Sequence, residues 1–279
     1  PRSTLFPYTT LFRSGIDVSF STKTSAMKIT FLGTGTSQGI PVITCNCDVC
    51  SSRDRKDNRL RTSVLIETKN TNIVIDTGPD FRQQMLREKV KKLDAVLFTH
   101  EHKDHISGLD DIRSYNYVQQ KPMDVYGQQR VLEALKQEFA YVFSELKYPG
   151  IPQVILHEIN TNIFTVNDIP VLPIPVMHLK LPILGFRIGN FGYITDANYI
   201  SEESKKLLSG LDVLVINALR IKKHISHFNL QEALAIADEL KPKKTFLTHI
   251  SHHLGKQEDI LKMVPTRVEP AYDGLRISI

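Results

Sequence analysis

Three histidines and an aspartate lie within one six-residue segment of this chain, His100–His105, in the pattern H-x-H-x-D-H. The apolar run Leu93–Thr99 comes directly before it and predicts a buried strand. A strand that ends in this pattern delivers its side chains to the carboxyl edge of a sheet, where α/β proteins bind ligands. Imidazoles and carboxylates bind divalent metals, so four such groups together indicate a metal site rather than a solvated polar loop.

Further histidines and aspartates follow predicted strands downstream. His178, Asp196 and His249 each come at the end of an apolar run. With the first segment they make seven candidate ligands, more than one zinc ion uses, and they suit two metal ions that share a bridging carboxylate. The candidate ligands of this double site are His100, His102, Asp104, His105, His178, Asp196 and His249.

All the cysteines of the chain, Cys45, Cys47 and Cys50, share the pattern C-x-C-x-x-C. Three thiols cannot all pair in disulfides within one chain. Their spacing suits three thiolates on one tetrahedral zinc ion that needs one more ligand, so a histidine elsewhere is expected as the fourth. The alternative is three reduced cysteines without a metal. Either state favours a reducing compartment, and we expect a cytoplasmic location.

The elements that must position these residues are strands in two groups, with helices between and after them. The pattern predicts an α/β fold in which two β-rich halves pack face to face, with helices outside. Residues 33–39 have the spacing G-x-G-x-x-x-G with no helix after it, which predicts a tight turn past the site instead of a nucleotide-binding loop. Asp76 ends another strand, where it could orient a metal ligand or cap the helix predicted over Phe81–Lys89.

Other polar residues are expected to be structural or solvated. His157 and His224 belong to this group. The charged run 51–61 is expected to be a solvated connector, although it could also border a site for anionic substrates. An amphipathic helix is predicted over Gln128–Phe143 from its apolar spacing.

Composition and charge exclude several classes of protein. The 279 residues are 41% hydrophobic and 23% charged, which is enough for a sizeable core in a soluble protein. No apolar run approaches the ~20 residues of a transmembrane helix, so no membrane partner is expected. The net charge is +5, part of it within residues 1–26, and the remainder is too mildly basic to indicate nucleic acid as a partner.

Residues 1–26 are expected to be an artefactual or disordered extension. The chain begins with Pro1, and residues 1–14 resemble the in-frame translation of a sequencing adapter. Residues 15–26 belong either to that artefact or to a natural extension. Met27 opens a strand at once, so one domain is expected over 27–279.

The ordered set of ligand motifs resembles the metallo-β-lactamase superfamily. H-x-H-x-D-H, a later histidine, an aspartate after a strand and a last histidine after a strand follow that family's order. G-T-G-x-x-x-G-x-P, C-x-C-x-x-C and a final H-I-S-H further resemble the phosphoribosyl 1,2-cyclic phosphate phosphodiesterase branch of the phosphonate-utilisation enzymes. The resemblance runs from Met27 to the C-terminus and implies a single catalytic domain with the four-layer αββα sandwich.

The resemblance also implies a role for each ligand. The first metal ion would be held by His100, His102 and His178. The second would be held by Asp104, His105 and His249, with Asp196 as the bridge; manganese or zinc is typical of this pair. A separate structural zinc ion would be held by Cys45, Cys47, Cys50 and His252, although chemistry alone does not choose between His252 and His253. His227 falls where the family places its general acid.

We therefore expect a binuclear metal-dependent phosphodiesterase acting on a small cyclic or diester phosphate, such as phosphoribosyl 1,2-cyclic phosphate. A hydroxide bridging the two ions would attack phosphorus, oriented by Asp196, and His227 would protonate the leaving alkoxide. The alternatives are a carboxylic-ester, thioester or β-lactam hydrolase of the same fold, a nuclease on short nucleic-acid ends, and a non-catalytic metal-binding module. A small phosphodiester is the expected partner, and a homodimer is a fair expectation for a soluble enzyme.

Overall fold

A computed structural model describes residues 26–145 and 148–279, so the prediction for the N-terminal extension lies, up to residue 25, outside the described residues. The described chain forms two seven-stranded sheets. The strands of the first sheet are β1 (Lys28–Gly33), β2 (Ser63–Glu67), β3 (Asn72–Ile75), β4 (Ala95–Leu97), β5 (Met123–Gly127), β6 (Val154–Glu158) and β14 (Arg276–Ser278). Those of the second are β7 (Phe164–Val166), β8 (Ile169–His178), β9 (Leu181–Ile188), β10 (Phe191–Ile194), β11 (Val213–Asn217), β12 (Lys244–Thr248) and β13 (Val268–Pro270).

Helices cover the outer faces of both sheets. They are α1 (Phe81–Glu88), α2 (Lys103–Ile106), α3 (Arg113–Gln119), α4 (Gln129–Glu138), α5 (Ala140–Phe143), α6 (Glu202–Leu207), α7 (Leu230–Leu240) and α8 (Gln257–Met263), with short 3-10 helices at Arg55–Asp57 and Leu109–Ile112. None of the helices in the described ranges combines the length and hydropathy that a bilayer crossing requires.

Burial on both faces explains why the strands are apolar almost throughout. In β3, Ile73 and Ile75 point into a central layer shared with the second sheet, whereas Val74 packs outward against the helices. Side chains that alternate between two buried faces must all be apolar, so such a strand shows no polar–apolar alternation. The layers are helices, sheet, sheet and helices, and the predicted four-layer αββα sandwich is confirmed.

Parallel pairing aligns the strand ends that carry the candidate ligands. In the first sheet β3 to β6 run parallel, and in the second β10 to β13 do so. Ile75 pairs with Leu97, so Asp76 and the segment after β4 leave the sheet at the same edge. In the second sheet, Ile194 at the end of β10 likewise pairs with Ile216 of β11, and β11 in turn pairs in parallel with β12. The chain order therefore brings the ends of β3, β4, β10 and β12 to carboxyl edges, as expected for a site in an α/β protein.

Several elements differ from the sequence prediction. The helix predicted over Gln128–Phe143 is divided at Phe139, whose backbone is not helical (φ −112°, ψ 43°). Helix α3 and strand β13 were not predicted, since α3 buries few residues and β13 has only three. The run 51–61 is not simply a solvated connector, because Arg59 is 2% exposed and donates to the Gln257 side chain at 2.6 Å and to the Ala271 carbonyl.

A close contact between backbones fixes helix α2 against the segment that follows β3. The amide of Thr77 donates to the His105 carbonyl, and the amide of Gly108 donates to the Thr77 carbonyl, both at 2.8 Å. A Cβ at Gly108 would lie 2.1 Å from the Gly78 carbonyl oxygen, and one at Gly78 would lie 2.2 Å from the Asp104 carbonyl oxygen. The two glycines therefore set how closely α2, which carries Asp104 and His105, approaches Asp76.

We expect Gly108→Ala to lower the free energy of unfolding by about 1–3 kcal/mol, because the new methyl group meets backbone that has no rotamer to change. It should also weaken divalent-metal binding, since α2 must move away from the segment that follows β3. Gly210→Ala is the control for metal binding: its Cβ would meet no described atom within 4 Å, although its φ of +71°, unlike the φ of −92° at Gly108, is itself unfavourable for alanine. Urea unfolding and metal titration of both variants provide the measurement, and equal metal affinity would contradict the role of this contact.

Candidate metal centre

Three candidate residues, each at or just beyond the end of a strand, have a left-handed backbone conformation. Asp76 follows β3, Asp196 lies two residues after β10, and His249 follows β12, with φ of 64°, 58° and 53°. For a residue other than glycine this conformation costs of order 1–3 kcal/mol and occurs mostly where the surrounding structure enforces it. The left-handed residue breaks the extended conformation immediately where the ligand is needed.

The seven predicted ligands come together in two adjoining groups. His100, His102 and His178 form the first, with one nitrogen of each lying within 4.8 Å of the others. The second group, whose ligand atoms lie within the same distance of one another, consists of Asp104, His105, Asp196 and His249. These are the two sets that the family resemblance implies.

Asp196 lies between the two groups. Its Oδ2 is 3.1 Å from His249 Nε2 and 3.9 Å from His100 Nε2, and its Oδ1 is 3.4 Å from His105 Nε2. The hydroxyl of Thr195 donates to Oδ1 at 2.6 Å and restricts the carboxylate. Oδ2 therefore faces one histidine nitrogen of each group and Oδ1 faces the second group, which is the position that a bridging ligand requires.

The donor atoms fit divalent cations. Among the described residues, Nε2 of His100, His105 and His249 is buried and has no hydrogen-bond partner, and neither has Nδ1 of His249. A buried polar atom left in this state costs about 1–3 kcal/mol. Because the three Nε2 atoms converge on Asp196, a cation coordinated there would satisfy all of them.

Asp76 orients histidines of both groups. Of its two predicted roles, the geometry therefore favours orienting a metal ligand over capping the helix. Its Oδ2 accepts from His105 Nδ1 at 2.7 Å and from the Thr99 hydroxyl at 2.8 Å, and Thr99 Oγ1 in turn accepts from His100 Nδ1 at 2.9 Å. Placing hydrogen on both Nδ1 atoms leaves both Nε2 atoms free to coordinate. The residue that precedes helix α1 is Asp80, not Asp76.

His178 is held in the corresponding way by the second half of the chain. Its Nδ1 donates to the backbone carbonyl of Ser226 at 2.8 Å, so Nε2 is the nitrogen available to a metal ion. His102 differs from the other ligands because it is exposed, and its ring contacts the ring of His178 edge-on at 5.0 Å. The first group is therefore open to solvent on the His102 side.

Opposite charges are concentrated in this buried space. Burial favours neutral Asp196, but His249 and His105 hold the pKa of its carboxyl well below the ordinary value. Burial also disfavours charged His249, yet Asp196 and Asp104 raise its pKa to about 9. The pKa of His100 is lowered well below its ordinary value by burial and then by His105. Divalent ions bound here would take over the neutralisation that protons on His105 and His249 otherwise provide.

His227 lies at the edge of both groups. Its Nε2 is 3.3 Å from Asp196 Oδ2, and its ring stacks on that of His249 with centroids 4.9 Å apart. Burial lowers the pKa of this imidazole to about 4. With His178 and Asp196 it also forms a further set that could hold a metal ion. His227 can thus act as an acid towards a bound group or as a ligand, and metal analysis of a variant distinguishes the two.

His224, expected to be structural or solvated, instead contacts His227. The two Nδ1 atoms are 3.2 Å apart. The spacing H-x-x-H in a loop before a helix is the only signal in the sequence that pointed to this pair. His157, in contrast, has the structural environment predicted for it: its Nε2 lies 2.6 Å from Asp124 Oδ1 and its ring stacks on Tyr126.

The three cysteines converge on one histidine. Nδ1 of His252 lies 3.3 Å from Cys45 Sγ, 3.4 Å from Cys47 Sγ and 3.5 Å from Cys50 Sγ. The Cys50 amide donates to Cys47 Sγ, which lowers the pKa of that thiol to about 6 and favours the thiolate. Geometry therefore distinguishes His252 from His253, whose side chain is exposed, and the four atoms suit one tetrahedral zinc ion.

Comparison with known proteins agrees with this arrangement. A family profile described as a beta-lactamase superfamily domain matches residues 71–250. The solved structure of a diphosphatase from the PhnP family is 39% identical, with a TM-score of 0.86, and the alignment covers 91% of this chain and 97% of that one. The fold and the length of the two chains therefore correspond.

Two curated proteins show how far the similarity extends. An octanoyltransferase of Porphyromonas gingivalis is 41% identical over 256 residues, covering 91% of this chain and 52% of its own length. The chain thus spans about half the length of that relative. A ribonuclease Z of an Exiguobacterium species is 23% identical and is covered over 93% of its length. The matched family profile and the similarity to the diphosphatase show that this chain belongs to the metallo-β-lactamase superfamily and, within it, to the PhnP family.

Proposed function

We propose that this protein is a binuclear metal-dependent phosphodiesterase that hydrolyses a P–O bond in a small cyclic or diester phosphate, such as phosphoribosyl 1,2-cyclic phosphate. The observation that carries the proposal is the position of Asp196 between two groups of ligands, in which three histidine Nε2 atoms have no hydrogen-bond partner among the described residues. The similarity to a PhnP-family diphosphatase supports phosphorus as the reacting centre.

The ligands divide between three ions in this proposal. The first active-site ion is held by His100, His102 and His178, and the second by Asp104, His105 and His249, with Asp196 shared. Cys45, Cys47, Cys50 and His252 hold a zinc ion that stabilises the loop 41–50 against the end of β12. When bound, the two active-site ions, manganese or zinc, activate water and neutralise charge on the phosphate oxygens.

The protein's own groups perform the remaining tasks. Asp196, restrained by Thr195, orients the attacking water as a hydrogen-bond acceptor. His227 presents Nε2 to the same space and donates its proton to the leaving oxygen, a contribution that is typically ~10²–10⁴-fold. Because burial lowers the pKa of His227, its imidazole is neutral near pH 7 in the free protein and has to take up a proton when the anionic phosphate binds beside it before it can act as the acid.

A second candidate function is cleavage of a phosphoanhydride, favoured by the activity named for the solved PhnP-family protein, a diphosphatase. The two reactions use the same metals and the same attack on phosphorus, and they differ in the leaving group. A phosphate leaving group needs less help from a general acid than an alkoxide does. The substrate's leaving group therefore distinguishes these two functions.

A panel of substrates tests the proposal. We expect the metal-replete protein to hydrolyse bis-p-nitrophenyl phosphate and a diphosphate diester, and to leave nitrocefin and a p-nitrophenyl thioester intact, because the site is built for a phosphate placed between two cations. Turnover of nitrocefin or the thioester alone would favour the carbonyl hydrolases of this fold. Cleavage of short RNA ends in preference to both phosphate esters would favour a nuclease, as in the ribonuclease Z relative.

Elemental analysis of the purified protein should find nearly three metals per chain, one of them a zinc ion that survives mild chelation. His252→Ala should lose that zinc ion and keep the other two, because it removes the one nitrogen that faces all three thiols. His253→Ala is the matched control and should keep all three. Two or fewer metals in the unmodified protein would contradict the cysteine site.

Asp76→Asn should weaken metal binding or activity by about 10–100-fold, because the amide cannot offer a charged acceptor to both His105 and Thr99. Asp94→Asn is a matched control: Asp94 is also buried, at 4% exposure, but pairs with Lys92 and Lys121 rather than with a histidine. Titration with Mn²⁺ and Zn²⁺ measures the effect. Equal losses in the two variants would show that Asp76 contributes only to folding.

A further inference from the structure

The loop between β11 and helix α7 places a second histidine behind His227. His224 Nδ1 lies 3.2 Å from His227 Nδ1, and Ser226 Oγ lies 2.9 Å from His227 Nδ1 and 3.2 Å from His224 Nδ1. The other nitrogen of His227, Nε2, faces Asp196. His227 is therefore contacted at both ring nitrogens, and His224 lies on the side away from the metal ligands.

Contacts from three directions hold this loop in place. Arg220 donates to the carbonyls of Lys222 and Lys223 at 3.1 and 2.8 Å, which closes the loop on itself. Asn198 donates to the Ile225 carbonyl at 3.2 Å, and the Phe228 amide donates to the Ala197 carbonyl at 2.7 Å. The contact between the histidines is thus built on a fixed backbone.

The backbone also determines which way the hydrogen bond between the histidines runs. The amide of Ser226 donates to His224 Nδ1 at 3.3 Å, so this nitrogen is an acceptor. A hydrogen on His227 Nδ1 then has acceptors in His224 Nδ1 and Ser226 Oγ, while a hydrogen on Nε2 faces Asp196 Oδ2 at 3.3 Å. A histidine that donates from Nε2 to a leaving group needs this arrangement to keep its ring in one orientation.

We propose that His224 is a positioning residue for His227, accepting a hydrogen bond from Nδ1 so that Nε2 is aimed at the leaving oxygen, with Ser226 Oγ as a second partner. The proposal rests on the proposed function, in which His227 is the general acid. An orienting group behind an acid or base is a recurring arrangement in catalytic sites. Among the described residues, His224 makes this contact with His227 but no hydrogen bond or ring contact with either group of metal ligands.

The test compares leaving groups. Methyl aryl phosphates with 4-nitrophenol and phenol as leaving groups differ in how much they need a proton, so a working general acid flattens the dependence of kcat/KM on leaving-group pKa. His227→Ala should lose about 10²-fold or more with phenol and much less with 4-nitrophenol. His224→Ala should lose about 10-fold with phenol and much less with 4-nitrophenol, because a misaligned acid loses only part of the rate enhancement that general acids provide.

Three further variants separate a positioning role from a structural one. His224→Gln should restore most of the phenyl ester rate, because its amide oxygen can accept the same hydrogen bond. His224→Ala made in the His227→Ala background should cost nothing more. His157→Ala, on the edge strand β6 of the first sheet, should leave both rates unchanged. Metal content is measured in every variant, so that loss of a ligand is not mistaken for loss of the acid.

Each outcome bears on one of the two proposals. The positioning role would be overturned, and the general acid left in place, if kcat/KM depended more steeply on leaving-group pKa in His227→Ala but not in His224→Ala. Equal losses with both esters in His227→Ala would overturn the general acid itself, and loss of metal in that variant would assign His227 as a ligand. A further loss in the double variant, or no rescue by glutamine, would show that His224 does not act through a hydrogen bond to His227.

Discussion

The hydrogen bonds accepted by the buried carboxylate of Asp76 are the interaction on which both groups of ligands depend. Asp76 is fully buried, and burial raises its pKa, so it is stable as an anion only while His105 and Thr99 donate to it. In return, Asp76 fixes which ring nitrogen of His105 is free to coordinate. Through Thr99 it does the same for His100. One residue at the end of β3 therefore orients a histidine in each of the two ligand groups, and the close packing of Gly78 and Gly108 keeps α2 within its reach.

The site also needs both sheets to be in place. The segment after β4 supplies His100 to His105, whereas His178, Asp196 and His249 come from the ends of β8, β10 and β12. Asp196 contacts histidines from both halves, and the carbonyl of Ser226 orients His178. Cation binding should consequently stabilise the packing of the two sheets, because a bound cation would join residues that have no covalent connection nearby.

The sequence predicts those parts of the structure that depend on local pattern. The strands could be predicted because burial on two faces requires apolar residues throughout. The segment H-x-H-x-D-H could be predicted because metal coordination requires particular residue types at its four ligand positions. Local pattern could not decide between the two predicted roles of Asp76, or between His252 and His253, since both choices depend on partners far away in the chain. The burial of Arg59 was mispredicted, and the contact of His224 with His227 was not predicted, for the same reason: the partners Gln257 and His227 are identified only by the fold.

The pairing of β1 with β14 has a consequence for how the chain can be connected. Met27 and Ile279 exchange both backbone hydrogen bonds, at 3.0 and 2.9 Å, so these two residues are neighbours in the first sheet. Since β1 runs in the same direction as β3, they lie at the opposite end of the sheet from Asp76 and the metal ligands. A polypeptide segment attached at either residue would therefore extend away from the metal ligands.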